Sequence, residues 1–234
     1  MFDTWEFEHI REFAVLVGVP ICIFLGWHLV RWRRRKFLDL KALGEELGLD
    51  FSTGGDGNAL MHQKFMELES FSGGYGSRAE TSNIFSNADH YVFDWWCSSS
   101  WISDDAGHGG TAAAVRLRGR TLPSFEIRPI SQRGIARFIG SAGDPIINFA
   151  GDREFSTRFQ VIGKDVQNVR GLLSAQTRQQ LLSFTDWSIE AGAKDWIVVR
   201  PSIISWFGST ASERRNLFEA SKRIASVIDE STSG

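Results

Sequence analysis

The sequence has little cysteine and little net charge, and both absences narrow its function. Only Cys22 and Cys97 occur among 234 residues, and Cys22 lies in an apolar stretch. We therefore predict no internal disulfide and no cysteine-based metal site. The formal net charge is -2, and the part of the chain after residue 36 is mildly acidic. A mildly acidic domain lacks the excess of basic residues that binds the phosphates of nucleic acid, so we predict no nucleic-acid partner.

Two enzyme motifs are also missing. The glycine-rich segment 73–78 lacks the Gly-Lys-Ser/Thr ending of a phosphate-binding loop, so we interpret it as a hairpin turn. The three serines at 98–100 are not set in a Gly-x-Ser-x-Gly elbow. From the residues alone we predict no catalytic, cofactor-binding or metal-ligating residue, and no cofactor.

The chain does contain one long apolar stretch, Phe13–Val30. At about 1.5 Å per residue it measures roughly 27 Å, close to the roughly 30 Å hydrocarbon core of a bilayer. The stretch predicts one transmembrane helix, although a buried core helix is an alternative. The residues predicted to anchor it are Phe13, Leu16, Pro20, Phe24, Trp27 and Trp32.

A basic block follows the apolar stretch directly and sets the predicted topology. Basic residues near the end of a membrane span stay on the cytoplasmic side. We therefore predict a single-pass protein of the inner (cytoplasmic) membrane, with a short non-cytoplasmic tail at 1–12 and the remaining domain in the cytoplasm. A cleaved signal peptide fits less well, because the residues before the stretch are acidic. The topology-determining residues are Arg31, Arg33, Arg34, Arg35 and Lys36.

Beyond the basic block the sequence predicts an α+β fold, in which antiparallel strands pack with helices. A juxtamembrane helix covers 31–48 and ends at Gly48, a soluble domain covers 49–230, and 231–234 form a disordered tail. A soft boundary falls at 140–151, and 134–139 is a short helix candidate. Asp165 and Ser212 are predicted helix caps. Alternation predicts strands at 78–85, 90–97, 111–118, 122–129 (at a sheet edge), 154–162, 187–190 and 195–200.

Several segments together resemble a family. They are RWRRRK at 31–36, LKALGEELGLDF at 40–51, YVFDWW at 91–96, LPSFEIRP at 122–129, FSTRFQVIGKDVQNVRGLL at 155–173 and WSIEAGAKDWIVV at 187–199. The pattern is similar to that of bacterial membrane-anchored proteins that carry a domain of unknown function. The resemblance implies a membrane-tethered α+β domain in a bacterium, and it transfers no catalytic residue.

The polar connection 98–110 is the segment whose residues would suit the active site of an enzyme. Asp104, Asp105 and His108 lie close together there, and two carboxylates with an imidazole could hold a divalent metal. A solvated loop is the competing interpretation, and it is the one we adopt. The alternative function is a membrane-associated hydrolase or metal-dependent enzyme that uses the acids of this loop.

Tryptophan is unusually concentrated at Trp95, Trp96 and Trp101. Neighbouring residues on a strand point to opposite faces, so Trp95 and Trp96 cannot share one core. We predict a candidate interaction surface at these three residues, with a helix over the second face as the alternative. The predicted function is a membrane-tethered cytoplasmic interaction or scaffold domain. Its predicted partners are the lipid bilayer and another membrane or cytoplasmic protein.

Overall fold

The computed structural model describes residues 4–54, 78–98, 107–130, 144–193, 195–202 and 209–231. The chain divides into two compact units, Met1–Leu43 and Gly44–Gly234. The predicted turn at 73–77, the helix candidate at 134–139 and the tail at 232–234 lie outside the described residues.

Helix α1 runs from Thr4 to Leu47 and contains Pro20. It begins inside the segment that was predicted to be a separate tail. It ends directly before Gly48, whose φ of +68° is a left-handed conformation that glycine adopts without strain. The predicted end of this helix is thus confirmed.

The predicted transmembrane helix is contradicted. Among the described residues, no helix has the length and apolar character needed to cross a membrane.

This finding corrects the predicted fold class in its membrane-spanning part. It equally corrects the predicted single-pass topology and the predicted placement at the inner membrane with a cytoplasmic domain. Of the six predicted anchoring residues, Phe13 and Leu16 lie outside the residues whose side chains the structure describes.

The second unit is built on one antiparallel sheet of nine strands in the order β1-β2-β3-β4-β9-β8-β5-β7-β6. Neighbouring β2, β3 and β4 form a meander, and β9 then joins β4 through pairs such as Ala113 with Val199. The strand bounds are β1 Asp50–Ser52, β2 Arg78–Ser86, β3 His90–Ser98, β4 Gly107–Arg116, β5 Phe125–Pro129, β6 Ile146–Ile147, β7 Phe159–Gly163, β8 Trp187–Ala193 and β9 Trp196–Pro201.

The helices of this unit start at side chains that accept a hydrogen bond from the first turn. They are α2 Arg153–Arg158, α3 Val166–Leu172, α4 Ala175–Leu181 and α5 Ala211–Ser231, with a 3₁₀ turn at Leu182–Phe184 after α4. The predicted cap Asp165 is confirmed, since its carboxylate accepts from the backbone N–H of Asn168. The predicted cap Ser212 is wrong. Thr210 caps α5 instead: its Oγ1 accepts from the N–H of Glu213, whose carboxylate accepts from the N–H of Thr210.

Three strand predictions are corrected by long-range pairing and capping. The segment 154–162 divides into helix α2 and strand β7, because Asp152 caps a helix there by accepting from Phe155 N–H. Strand β5 is not at an edge, since it lies between β8 and β7. Its proline, Pro129, is the last residue of the strand, where a missing N–H matters little. Strand β4 starts at Gly107, within the predicted connection.

Both faces of the sheet are buried near its centre. One face carries a cluster of buried side chains: Ile84, Tyr91, Phe93, Trp95, Ala112, Ala114, Trp196 and Val198. The opposite face carries Val92, Ala113 and Val199, which are fully buried. Helix α5 lies on that opposite face, where Phe218 meets the ring of His90 in an edge-to-face contact of 5.4 Å. The α+β packing predicted for this unit is therefore found.

Candidate functional site

The structure separates the tryptophans that were predicted to form one surface. Trp95 is 6% exposed and belongs to the buried cluster, whereas Trp96 points to the other face and is 41% exposed. The alternation predicted for this pair is confirmed. Trp101 lies outside the described residues. Among the described residues, the candidate surface therefore narrows to Trp96 and its surroundings.

The position of Trp96 depends on a glycine opposite it. Trp96 and Gly109 are direct partners in the register of β3 and β4. A Cβ on Gly109 would lie 2.8 Å from Cε3 of the Trp96 ring and 2.4 Å from the carbonyl oxygen of Trp95. Only glycine lets the indole lie this close to the neighbouring strand, so the two residues hold each other in place.

Two residues before Trp96, Asp94 forms the centre of a hydrogen-bond network on the same face. Nη2 of Arg214, in α5, donates to both carboxylate oxygens, at 2.8 and 2.7 Å. The hydroxyl of Thr111 and the amide of Asn83 each donate to the same carboxylate at 2.7 Å. The carboxylate thus joins three strands and a helix.

The backbone of β2 is distorted where it supplies Asn83. The register slips between Ser82 and Phe85, which is a β-bulge, and Asn83 has a φ of +47°. Asparagine tolerates this left-handed conformation better than most residues, and a bulge redirects the side chain it carries. The distortion brings the Asn83 amide to Asp94.

Arg214 is the most deeply buried charged group on this face. Arg214 is 0% exposed. Its Cζ atom lies 5.6 Å from the ring centre of Phe85, and its Nε donates a hydrogen bond to the carbonyl oxygen of Ser209. The Ser209 hydroxyl in turn meets that of Thr111 at 2.7 Å. The first turn of α5 is therefore fastened to strands β2, β3 and β4 directly beside Trp96.

Two ionisable groups at the margins of α5 have altered pKa values. Hydrogen bonds from the backbone and side chain of Thr210 hold the pKa of Glu213 below its ordinary value. Half-burial lowers the pKa of His90, an effect that Asp89 opposes and Lys222 reinforces. The first shift thus follows from the cap of α5, and the second chiefly from burial.

A second charged cluster lies on the face of Trp95, at strands β5, β8 and β9. Arg128 pairs with Glu126, and Nη2 of Arg200 lies 3.2 Å from Glu126 and 3.4 Å from Glu190. Two acids and two bases thus neutralise one another while nearly excluded from water. Glu126 and Arg128 lie on β5, which is flanked by β8 and β7, and this position, which the sequence does not reveal, explains their burial.

In the first unit, the described part of α1 exposes apolar side chains in unbroken succession. Val17, Ile23, Phe24 and Val30 are between 41% and 67% exposed, as are most of the apolar residues between and after them. The predicted anchors Pro20, Trp27 and Trp32 are also exposed. The five bases that follow are exposed too, and two of them lie over indole rings: Arg31 over Trp27 at 5.1 Å and Lys36 over Trp32 at 5.5 Å.

The residues of the enzyme alternative fall mostly outside the described chain. Asp104 and Asp105 lie outside it, and His108 is described only as a backbone position of β4 opposite Cys97. In the described ranges, no three His, Cys, Asp or Glu side chains lie close enough to hold a metal ion.

Comparison with known proteins gives a likeness in fold. No protein-family model matches the chain, and no curated protein does. Among solved structures, the crystal structure of the mycobacterial trehalose monomycolate transport factor A, TtfA, is similar with a TM-score of 0.52 and 10% sequence identity. The match covers 81% of this chain and 92% of that one. At this identity the likeness shows that the two chains share a fold.

Proposed function

We propose that this chain is a non-catalytic scaffold associated with lipid transport, which contacts lipid through its first unit. The observation that carries the proposal is the exposed apolar succession of α1, followed at once by five bases. The association with transport rests on analogy with the transport factor of the same fold, since a fold by itself does not specify a function.

The apolar side chains of α1 favour lipid over a protein groove. Soluble proteins rarely expose a continuous apolar surface of this size. Between Val17 and Val30 there is no Asp, Glu, Lys or Arg, and no polar stripe divides the helix surface. Contact of these side chains with lipid removes their apolar surface from water and requires no membrane span.

The basic block specifies the kind of lipid. The segment 31–36 contains no acid that would neutralise its five bases, which are Arg31, Arg33, Arg34, Arg35 and Lys36. Such clusters are attracted to anionic headgroups, and the attraction weakens as salt screens it. The indoles of Trp27 and Trp32, each beneath a cation, are suited to the boundary between headgroups and acyl chains.

The second unit supports a scaffold more than an enzyme. Its buried acids Glu126 and Glu190 are paired with arginines, and so is Asp94. These carboxylates bond arginines inside the fold, so they hold strands and α5 together.

The proposal is tested by flotation of the full-length chain with lipid vesicles. Vesicles that contain anionic phosphatidylglycerol should bind the chain, and those of neutral phosphatidylcholine should bind it more weakly. Arg34→Gln/Arg35→Gln should weaken binding to anionic vesicles by about an order of magnitude. The matched control Arg153→Gln/Lys164→Gln also removes two exposed bases, from the second unit, and should bind as the unchanged chain does.

A second readout follows the apolar segment itself. Cys22 is exposed in α1, so in a Cys97→Ala background it can carry a polarity-sensitive dye. The dye emission should shift to the blue when vesicles are added. An emission shift that depends on protein concentration without lipid would instead show that a second copy covers the segment, and would overturn the proposal. Equal binding to both kinds of vesicle would overturn the role of the basic block.

A further inference from the structure

The basic block of α1 has two sides that carry different cations. Successive residues of an α-helix are about 100° apart around its axis, so Trp27, Arg31 and Arg34 lie within an arc of about 60°. By the same geometry, Arg33 lies on another side of the helix, together with Lys36. All four cations are exposed. The side of Trp27 therefore presents two neighbouring arginines, Arg31 and Arg34, to whatever the helix meets.

No acid of the helix lies beside these two arginines. The segment 13–38 contains no aspartate or glutamate, and the first acid after it is Asp39. Asp39 lies one helical turn after Arg35 and Lys36, where an acid weakens the charge of a base, but farther from the two arginines. The most concentrated positive charge of the block is therefore on the side of Trp27.

Aromatic rings continue the same side of the helix away from the basic block. Cζ of Arg31 lies 5.1 Å from the ring centre of Trp27. The ring centre of Phe24 lies 6.5 Å from that of Trp27 and 6.2 Å from that of His28. A guanidinium that lies over an indole uses its flat face, so the N–H groups at its edge can still donate hydrogen bonds. Apolar rings and hydrogen-bond donors thus follow one another along one stripe.

We infer that this stripe, formed by Phe24, Trp27, Arg31 and Arg34, binds a lipid whose headgroup ends in a phosphomonoester. The inference rests on the proposed lipid contact and adds the chemistry of the headgroup. Helix residues three apart have Cβ atoms about 5–6 Å from each other, so two arginines at this spacing can reach one phosphate. A phosphomonoester has three free oxygens and offers each guanidinium a two-bond contact, whereas a phosphodiester has only two free oxygens. The acyl chains then cover the rings and remove their apolar surface from water.

The test compares two anionic lipids by flotation of the full-length chain. One set of phosphatidylcholine vesicles contains phosphatidic acid, which is a phosphomonoester. The other contains phosphatidylglycerol, a phosphodiester, in the amount that gives the same zeta potential. The chain should bind the phosphatidic acid vesicles about threefold to tenfold more tightly. Equal binding would overturn the inference, because a diffuse attraction between charges does not distinguish the two headgroups.

Variants that preserve charge locate the preference on the helix. Arg34→Lys replaces a planar fork of donors by a single ammonium, so it should remove most of the preference for phosphatidic acid and leave binding to phosphatidylglycerol unchanged. Arg33→Lys is the matched control, since it makes the same replacement at the adjacent exposed position, outside the stripe. The control should keep the preference. Equal effects of the two substitutions would overturn the assignment to this stripe.

A soluble phosphomonoester separates a lipid ligand from a free one. Glycerol 3-phosphate should not release the chain from vesicles beyond the effect of sodium chloride at the same ionic strength. Greater release would show that a soluble phosphate is the ligand and would overturn the lipid assignment. Absence of binding to both anionic vesicles would overturn the proposed lipid contact itself, whereas binding without preference overturns this inference alone.

Discussion

Arg214 and Arg215 are neighbours in α5, and each binds one carboxylate, but their surroundings differ completely. Arg214 is 0% exposed and donates to Asp94, whose side chain is 17% exposed. Arg215 is 42% exposed and pairs with Glu46, which is 53% exposed, through two bonds of 2.7 and 2.5 Å. The distances alone would rank the two pairs as equals.

The comparison shows that burial, and not bond length, decides what an ion pair contributes. Water competes for both partners of the Arg215 pair, so its loss exposes nothing that water cannot solvate. Around Arg214 water is excluded, so removal of either partner leaves a charge without solvent. The exposed pair does shift titration, because the bond from Arg215 holds the pKa of Glu46 below its ordinary value.

The largest loss of stability is expected for Arg214→Met, which removes the buried arginine. It leaves the Asp94 carboxylate facing only Thr111 and Asn83, so we expect a loss of about 3–5 kcal/mol in the free energy of unfolding. Urea denaturation measures it. The double variant Asp94→Asn/Arg214→Met should lose less than the sum of the single variants. A loss as small as that of an exposed pair would contradict the buried network.

The next largest effect tests the strand beside that network. Gly109→Ala places a Cβ against the Trp95 carbonyl and the Trp96 ring, so we expect a loss of about 1–3 kcal/mol. The control is Gly171→Ala in α3, where nothing lies within 4 Å of the added Cβ. That change should stabilise slightly, because alanine favours a helix. Equal effects of the two substitutions in denaturation would refute the steric argument.

A smaller effect tests which residue starts α5. Thr210→Ala removes the acceptor for the Glu213 N–H and should cost about 1 kcal/mol, seen as a lower midpoint of thermal unfolding. Ser212→Ala changes an exposed hydroxyl in the same turn and should leave that midpoint unchanged. The reverse order of effects would restore Ser212 as the cap.

His90 gives a pH-dependent effect at the opposite end of the contact between α5 and the sheet. Its pKa is lowered from 6.5 in the folded chain, chiefly by burial, so the unfolded chain binds the proton more readily. The contribution of His90 to stability is therefore complete above pH 6.5 and is lost as the pH falls through the lowered folded pKa. His90→Gln should flatten this part of a stability-versus-pH curve, whereas an unchanged slope would assign it to other groups.

The smallest expected effect is that of Arg215→Gln. Because its partner Glu46 is exposed, unfolding in moderate salt should not change measurably, which completes the contrast with Arg214→Met. A loss comparable to that of Arg214→Met would show that exposure does not govern these pairs.

Much of the local structure could be predicted from sequence, because strand alternation and helix caps are local signals. Strands β2 and β3, the hairpin of β8 and β9, and the end of α1 before Gly48 all follow this rule. The partners of β5 could not be predicted, because they lie far away along the chain and nothing local encodes them.

The candidate site was predicted only in its aromatic part. Trp96 was found because its alternation with Trp95 is a local pattern. Arg214 was missed, although it lies three residues before Leu217 on the apolar stripe of α5, and a charged residue on such a stripe signals a buried pair. The expected membrane span is a separate case, because it was predicted from the apolar run alone, and no helix among the described residues has the length and apolar character to cross a membrane.

The central position of the β8–β9 hairpin also constrains how the protein is made. Until Trp187–Pro201 leaves the ribosome, strands β1 to β4 and strands β5 to β7 cannot belong to one sheet, because β9 joins β4 and β8 joins β5. Any partial sheet that forms before then has an unpaired edge at β4 or at β5, with which other chains can pair. Because pairing across this distance is intrinsically slow, the late hairpin sets how long such edges stay open to aggregation.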